Sequence, residues 1–457
     1  MSLASFNLSP FDRIVISFLV GVLLLTGFVV WRGDQLGLEV ITFSPSVEPA
    51  STQANVQITF NEPLDPATEP ALSLEPPISG TISFEGDTLT FWPGQPLSAN
   101  VTYRVTLAAG VVSERGRRLS QPVTWEFRTR PARILYLGLD ASEQNQIYVA
   151  DVPAAGEGVL PTQLTEASFV VDFSVAPDGS TIVYTVLRDD GGSNLWMMAA
   201  DGSSQRELLA CVEAACSNTS WSPDGRRIIY EWRNIPTPGA APGAPRLWWL
   251  DPDTGETVPV FQDSQLLGLG ARLSADGRWL SFVSPIDQGI QVYNLEDGSS
   301  LLIPNQMGSP AVWNPQENAL LMSNITLSED QWAVYLEKVD AESEETTTLS
   351  QQGDVDDSSP TWSPDGEWIA FGRKQPRTPM GRQLWLMRAD GSDAHALTDD
   401  ADIHYGPFAW SPDGRYILLQ RYDLAEPYAK AAIGLLEVDT GEMREIAAPG
   451  MQPVWLP

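Results

Sequence analysis

Apolar and polar residues alternate in short runs over most of the chain, and no helical period connects these runs. Such alternation predicts β-strands that bury one face. The clearest stretch contains four runs separated by turn residues: Ser359–Ser363, Glu367–Arg373, Gln383–Arg388 and Ala394–Thr398. Asp365-Gly366 stands between the first two runs, where a hairpin needs a residue that accepts positive φ. The pattern therefore predicts an antiparallel unit of four strands.

The sequence Trp-Ser-Pro-Asp-Gly marks the end of the first strand in this unit, and it recurs along the chain. Identical copies begin at Trp221, Trp362 and Trp410, and weaker copies occupy residues 175–179, 273–277 and 313–317. A unit that repeats every ~40–50 residues is typical of a β-propeller or another repeat fold. We expect the tryptophans to pack between neighbouring units and the Asp-Gly pairs to form turns. The residues with these structural roles are Trp221, Asp224, Gly225, Trp313, Trp362, Asp365, Gly366, Trp410, Asp413, Gly414 and Trp455.

The two ends of the repeat region predict how it closes. Runs at 134–139, 146–151 and 162–165 have the pattern of second, third and fourth strands without a first strand. Residues 453–457 have the pattern of a first strand with nothing after it. We therefore predict an all-β fold in which residues 133–457 form a seven-bladed β-propeller closed by the C-terminal strand. Closure of this kind leaves only short, protected strand edges.

The repeat resembles that of TolB-like propellers, which are relatives of WD-repeat proteins. The resemblance is carried by Trp-Ser-Pro-Asp-Gly, by Ile-Ala-Phe at 369–371, by Leu-Trp-Leu-Met at 384–387 and by Leu-Thr at 164–165 and 397–398. It covers about residues 133–457. The third and fourth copies of the motif depart from it, because Ala275 replaces proline and residues 316–318 replace Asp-Gly. The resemblance implies the propeller fold and a protein partner in the cell envelope.

A continuous apolar segment near the N terminus has a different pattern. Residues 14–31 are uncharged and about as long as the hydrocarbon core of a bilayer, and they follow a short tail over residues 1–13. A cleaved signal peptide is the alternative, but no small-x-small cleavage pattern and no lipid-acceptor cysteine follow the segment. We predict an uncleaved signal anchor, a single-pass transmembrane helix over 14–31, followed by a linker over 32–39.

Residues 40–130 predict a second β domain. Alternating runs at 56–60, 89–92, 103–107 and 124–128 are separated by turns with proline and glycine, as in a β-sandwich. The segment resembles the bacterial Ig-like domain of surface-layer proteins, the SbsA type. The resemblance rests on Phe43-Ser44-Pro45, residues 59–65, Phe91-Trp92-Pro93, Tyr103-Arg104-Val105 and Phe127-Arg128-Thr129. In that family these are mainly core and turn positions, so Glu62 and Asp65 are expected in a solvated turn rather than at a cation.

The step from the sandwich to the propeller is Arg130-Pro131-Ala132, and Pro131 stiffens it. We therefore expect the sandwich to act as a semi-rigid stalk between the membrane anchor and the propeller.

Composition narrows the possible functions. The chain has 59 acidic and 27 basic residues, so its net charge of −32 disfavours general nucleic-acid binding, which needs a positive field. The two histidines, His395 and His404, lie in one short stretch, which argues against a histidine-rich metal site and most triad hydrolases. Cys211 and Cys216 are expected to form a disulfide-closed loop, with two free thiols as the alternative. A zinc site would need further ligands.

Two predicted connections between fourth and first strands are acidic, and both belong to the loop-rich face of the propeller. Their carboxylates are Asp354, Asp356 and Asp357 in one connection and Asp399, Asp400 and Asp402 in the other. They could hold Ca²⁺ or attract a basic partner, or they could form an ordinary acidic surface. The neighbouring bases could also pair with them; these are Arg373, Lys374, Arg377 and Arg382.

The sequence contains no recognisable catalytic constellation. It lacks Gly-x-Ser-x-Gly and ends at the predicted closing strand, so we expect no α/β-hydrolase domain. We predict a non-enzymatic, membrane-anchored, extracytoplasmic protein that binds an envelope protein or membrane-complex subunit through the loop-rich propeller face. We expect no cofactor and no nucleic-acid partner. The alternatives are a glycan- or cation-binding module and a hydrolase that uses carboxylates in the propeller channel.

Overall fold

The computed structural model of the 457-residue chain contains two compact regions, Met1–Arg130 and Pro131–Pro457. The boundary between them falls at the predicted step from sandwich to propeller, Arg130-Pro131-Ala132. The structure describes residues 10–33, 37–46, 49–52, 54–68, 70–94, 96–152, 159–237, 239–262, 266–327, 332–350, 356–374, 381–426 and 428–456.

An α-helix, Pro10–Gly33, covers the predicted membrane segment. Side chains are described for residues 15–27 of this helix, and all of them are exposed. Among the described residues, no helix is long and apolar enough to cross a membrane. The transmembrane role of residues 14–31 therefore stays a prediction.

Seven strands in two sheets form the N-terminal sandwich. They are β1 (Val40–Ser44), β2 (Val56–Phe60), β3 (Leu72–Glu75), β4 (Gly80–Glu85), β5 (Thr88–Pro93), β6 (Thr102–Leu107) and β7 (Val123–Arg128). The sheet orders are β1-β2-β5-β4 and β3-β6-β7. Inward-facing residues such as Phe60, Tyr103 and Phe127 are almost fully buried between the sheets. The alternation in the sequence thus separates a core face from an outward face on each strand.

The sequence predicts that Glu62 lies in a solvated turn, and this prediction is wrong. Its side chain is only 8% exposed, and its Oε1 lies 2.7 Å from Nη1 of Arg117. Ser113 donates a hydrogen bond to Oε2 at 3.1 Å. The long-range partner, 55 residues away along the chain, could not be read from the local sequence.

The second region contains 28 strands within the described residues. The first half comprises β8 (Arg133–Leu139), β9 (Asn145–Asp151), β10 (Thr162–Gln163), β11 (Val170–Val175), β12 (Thr181–Leu187), β13 (Ser193–Ala199), β14 (Arg206–Leu209), β15 (Ala214–Trp221), β16 (Ile228–Asn234), β17 (Arg246–Leu250), β18 (Thr257–Pro259), β19 (Leu269–Leu273), β20 (Trp279–Ser284), β21 (Gly289–Asn294) and β22 (Ser300–Pro304). The second half comprises β23 (Val312–Trp313), β24 (Ala319–Leu327), β25 (Trp332–Asp340), β26 (Thr346–Thr348), β27 (Asp356–Trp362), β28 (Trp368–Lys374), β29 (Gln383–Arg388), β30 (His395–Ala396), β31 (Ile403–Trp410), β32 (Tyr416–Asp423), β33 (Ala432–Glu437), β34 (Met443–Ala447) and β35 (Met451–Leu456).

These strands group into four-stranded antiparallel units, the sheet topology of a β-propeller. Unit 1 is β35-β8-β9-β10, in which the C-terminal strand pairs antiparallel with β8 through Trp455↔Ile134 and Leu456↔Arg133. The other units follow in chain order: unit 2 (β11–β14), unit 3 (β15–β18), unit 4 (β19–β22), unit 5 (β23–β26), unit 6 (β27–β30) and unit 7 (β31–β34).

Antiparallel pairing places the connections of each unit at its two opposite ends. The Asp-Gly turns between first and second strands lie at one end, which we call the turn face. The connections from second to third and from fourth to first strands lie at the opposite end, which we call the loop face. Single parallel bridges, Ser193↔Ala215 and Val334↔Asp356, align the loop-face ends of neighbouring units.

The repeated motif forms the predicted hairpin turns. Gly225, Gly366 and Gly414 have φ values of 70°, 73° and 70°, which only glycine adopts without strain. The serine of the motif donates a hydrogen bond to the aspartate, at 2.6 Å from Ser222 to Asp224 and equally from Ser411 to Asp413. Asp365 is held in the same way by Ser363. The aspartates therefore shape the turns.

The tryptophans of the motif pack between units. Trp362 is 5% exposed and lies against Leu321 and Leu336 of the preceding unit. Trp313 and Trp455 donate hydrogen bonds at 3.1 Å to the carbonyl oxygens of Arg272 and Ala409, each in the first strand of the neighbouring unit. Trp221 and Trp410 are half-buried in the same position, and in the described structure the indole N–H groups of Trp221, Trp362 and Trp410 have no hydrogen-bond partner.

Buried apolar clusters lie between consecutive units. A further cluster joins unit 7 to unit 1, because Leu418 and Ile433 pack with Ile134 and Trp455. The core of the second region is therefore a series of inter-unit layers.

Candidate functional site

The two described aspartates of the acidic segment at the start of β27 form ion pairs on the loop face. Asp357 is fully buried, and both of its oxygens accept hydrogen bonds from Arg373, from Nε and Nη2 at 2.7 Å each. Asp356 pairs with Arg382 at 2.8 Å. The pair of Asp357 and Arg373 joins two neighbouring strands of unit 6, because these residues are directly opposite in the register of β27 and β28. Asp354 lies outside the described residues.

The acidic connection before β31 is held by hydrogen bonds instead. Tyr405 donates its hydroxyl proton to Oδ2 of Asp400 at 2.6 Å. Burial, together with this bond to Asp400, raises the pKa of Tyr405 well above its usual range. Asp399 and Asp402 are exposed neighbours in the same connection.

The Ca²⁺ candidates within the described residues do not converge on one point. Among the described residues, no group of three or more His, Cys, Asp or Glu side chains is arranged to hold a metal ion. Asp356 and Asp357 instead form ion pairs with Arg382 and Arg373, which is the alternative predicted from the sequence. The Ca²⁺ hypothesis thus has no support from this geometry.

His404 is the titratable group beside these ion pairs. It lies in β31 with its ring 6.0 Å from that of Tyr422, edge to face. Burial and the nearby positive charges of Arg382 and Lys374 lower the pKa of His404. His395 is remote from this group of residues, because it is exposed in the outermost strand of unit 6 and bonds to the backbone oxygen of Asp393.

A second loop-face feature is the disulfide between Cys211 and Cys216, which closes a loop at the start of β15. Arg188 donates hydrogen bonds to the carbonyl oxygens of Cys211 at 2.6 Å and Ala214 at 3.4 Å, so the loop is fixed at both sides. It borders a pocket of about 390 Å³. Val212 stands at the tip of the loop and is 80% exposed.

The first strands of the units share a bulge that the sequence pattern does not predict. The register of the first strand shifts three to four residues before its end in units 1, 2, 3, 4, 6 and 7. Asn218, Ser359 and Gln452 have positive φ at this point, between 50° and 52°. Each of them stands three residues before the tryptophan of its unit, so the bulge is a repeated element.

Polar side chains satisfy the backbone of these bulges. Oδ2 of Asp172 accepts a hydrogen bond from the backbone N–H of Asn218 at 3.1 Å, and Oε1 of Glu231 accepts one from Gly270 at 2.8 Å. Gln420 accepts the N–H of Gln452 in the same way. Burial raises the pKa of Asp172. These inner carboxylates therefore have a structural task, since an unpaired buried N–H is costly.

Exposed apolar side chains are concentrated on the loop face. Of the eight large hydrophobic side chains exposed in the described part of the second region, five lie there. They are Leu187 (41%), Val212 (80%), Ile286 (63%), Leu424 (49%) and Tyr428 (96%). Leu160 lies in a connection on the turn face, and Val258 and Leu302 lie in outermost strands. The asymmetry distinguishes the two faces.

Comparisons with known proteins give a family match for the N-terminal region. Residues 34–129 match the family described as a bacterial Ig-like domain. The chain is similar to TolB from Acinetobacter baumannii, with 15% identity, 72% of this chain and 83% of that chain covered, and a TM-score of 0.42. The comparison with curated proteins found no match.

Enzymes are also among the similar structures. An oligogalacturonate lyase from Vibrio parahaemolyticus has 16% identity, 62% and 74% coverage of this chain and that chain, and a TM-score of 0.42. A puromycin-hydrolyzing peptidase from Mycobacterium tuberculosis has 13% identity, 78% and 53% coverage, and a TM-score of 0.47. At these identities and TM-scores, none of the three structures assigns an activity to this chain.

Proposed function

We propose that this chain is a non-enzymatic, extracytoplasmic binding protein, anchored to a membrane by residues 14–31, that recognises an envelope protein through its loop face. The observation that carries the proposal is the concentration of exposed apolar side chains on that face, led by Tyr428 and Val212. Apolar surface that a folded chain leaves in water is typical of a protein-binding surface when it is concentrated on one side.

The architecture supports this proposal. We infer that the seven units close into a ring, in which the Trp455 bond to Ala409 is the counterpart of the Trp313 bond to Arg272. A ring of this kind holds the connections of all blades at fixed positions, so a partner meets a surface that is already organised. The disulfide at Cys211 adds to this, because it fixes the loop that presents Val212.

Three described carboxylates support a binding role over hydrolysis. Asp357 is neutralised by Arg373, Asp400 holds the Tyr405 hydroxyl, and Glu231 holds a backbone N–H. A general acid or base must be able to reach a substrate proton, and these groups are already engaged.

The test is a tagged full-length protein purified in mild detergent from its native membrane, with quantitative mass spectrometry of co-purifying proteins. The loop-face variant Val212→Asp/Tyr428→Asp places charges in the proposed interface. We expect a stoichiometric partner with the wild type and its loss with this variant, because a buried, unpaired charge opposes association.

The matched control is Leu160→Asp, which changes an exposed apolar residue on the turn face. It should retain the partner. Retention of the partner by Val212→Asp/Tyr428→Asp, or its loss in Leu160→Asp alone, would contradict the assignment to the loop face. Turnover of a peptide or glycan by the purified protein, abolished by Asp400→Asn, would favour the hydrolase instead.

A further inference from the structure

The outward face of one sandwich sheet is polar and has a single charged residue. Residues on four adjacent strands are directly opposite one another in two rows, one through Gln57 and Thr90 and one through Thr59 and Thr88. The positions of this face are Thr42, Ser44, Gln57, Thr59, Thr81, Ser83, Glu85, Thr88, Thr90 and Trp92. Glu85 is the one charged residue among them, although the chain as a whole is 19% charged. Thr90 is only 9% exposed, and the apolar Ile41, the bulge residue next to Thr42, is 62% exposed.

Trp92 gives this face an aromatic platform. Its side chain points outward beside Thr81, its cross-strand neighbour, and it is 50% exposed. The indole N–H donates a hydrogen bond to Oγ of Ser83 at 3.0 Å, on the adjacent strand. This bond draws the indole along the sheet and leaves part of the ring exposed to solvent.

The other sheet of the sandwich provides the contrast. Its outward face has cross-strand charge pairs, with Arg104 2.7 Å from Glu126 and 3.6 Å from Glu75. Such pairs keep an antiparallel face solvated and need no further partner. The hydroxyl-rich face with its single exposed tryptophan is therefore a property of the β1-β2-β5-β4 sheet alone.

We propose that this face binds a neutral polysaccharide. Sugar rings present C–H groups that pack on an indole, and their hydroxyl groups exchange hydrogen bonds with serine, threonine and glutamine side chains. The face has no charged side chain to pair with an ionic ligand, apart from Glu85 at its margin. Four strands about 4.8 Å apart make a surface about 14 Å wide, which suits an extended chain of sugars. Trp92 is the stacking residue and Gln57 the central hydrogen-bonding residue.

The experiment is native affinity electrophoresis of the detergent-solubilised full-length protein through gels that contain dextran, mannan or hydroxyethyl cellulose. Dextran sulfate is the charged comparator. We expect retardation by at least one neutral polymer, insensitive to salt. Trp92→Ala should weaken that retardation by about tenfold or more, as removal of a central aromatic contact does, and Gln57→Ala should weaken it less.

Tyr428→Ala is the matched control, because it removes an exposed aromatic ring from the other region of the chain. It should leave the retardation unchanged, which separates this site from the proposed loop-face interface. Trp92→Phe keeps an aromatic ring and should keep part of the binding, and melting curves of all variants should coincide. Absence of retardation in all three neutral gels, retardation by dextran sulfate alone, or wild-type retardation of Trp92→Ala would overturn the proposal.

Discussion

The ion pair between Asp357 and Arg373 allows a quantitative prediction about the stability of the propeller. Replacing Arg373 with alanine leaves the Asp357 carboxylate fully buried without its bidentate partner. Removing one partner of a buried pair costs about 3–5 kcal/mol, because the remaining charge stays in a poorly solvated site. Arg373 also packs over the rings of Phe371 and Trp385, at 5.1 and 4.7 Å, so truncation removes packing as well.

The loss can be converted into a melting temperature. An unfolding entropy of about 2.1 cal/mol/K per residue gives about 0.7 kcal/mol/K for a region the size of Pro131–Pro457. A loss of about 4 kcal/mol therefore lowers the propeller transition by about 6 °C. Differential scanning calorimetry of the full-length protein measures this transition for each variant.

Arg421→Ala is the control, because Arg421 pairs with Glu445 at 3.5 Å on the surface, where both side chains are partly solvated. It should cost less than about 1 kcal/mol. In Asp357→Ala/Arg373→Ala neither charge remains buried, so the double variant should be more stable than Arg373→Ala. A double variant as unstable as the single one would show that lost packing, and not the stranded carboxylate, causes the effect.

Three further predictions concern other parts of the propeller. Burial and the adjacent cations lower the pKa of His404, so the unfolded chain binds a proton that the folded chain does not, and stability falls as pH drops below about 6.5. His404→Gln should flatten the decrease in melting temperature between about pH 7.5 and 5.5 while His395→Gln should not, and an unchanged slope in His404→Gln would contradict the assignment. Cys211→Ser/Cys216→Ser should lower the free energy of unfolding by about 2 kcal/mol, which is the chain-entropy value for so short a loop. If the wild type has the same denaturation midpoint with and without reductant, the disulfide does not stabilise the fold in this way. Trp455→Ala should lower the free energy of unfolding, measured by urea titration, by about 3–5 kcal/mol, because it empties a buried position between units 7 and 1. Trp92→Ala changes an outward-facing residue and should alter that free energy by no more than about 0.5 kcal/mol. Similar losses in both variants would refute the inter-unit role of Trp455.

The local elements were predictable where one residue pattern determines them. The third strand of unit 6 is Gln383–Arg388, as the alternation of its sequence predicts. The turn at Asp365-Gly366 is also as predicted, because glycine is required at that φ. The fourth strand is shorter than predicted, His395–Ala396, since an outermost strand has a partner on one side only and its ladder ends early.

The site was less predictable, because its contacts depend on register and on neighbouring units. The sequence shows that Arg373 and Arg382 are near acidic residues along the chain. It does not show which carboxylate each arginine contacts, because this depends on the strand register that places Asp357 opposite Arg373. The bulge residues Asn218, Ser359 and Gln452 share no residue type, so a composition pattern does not reveal them. Their fixed distance from the motif tryptophan is the signal that was present in the sequence.

The pairing of β35 with β8 has a consequence for the order of events during synthesis. The two strands are separated by more than 300 residues, so β8 leaves the ribosome long before its partner exists. Until then, one edge of β8 carries unpaired backbone groups, which is the kind of edge that nucleates misassembly. Contacts so distant in sequence also slow folding. We therefore expect the nascent chain to depend on chaperones, or on rapid completion of synthesis, more than its many local hairpins would suggest.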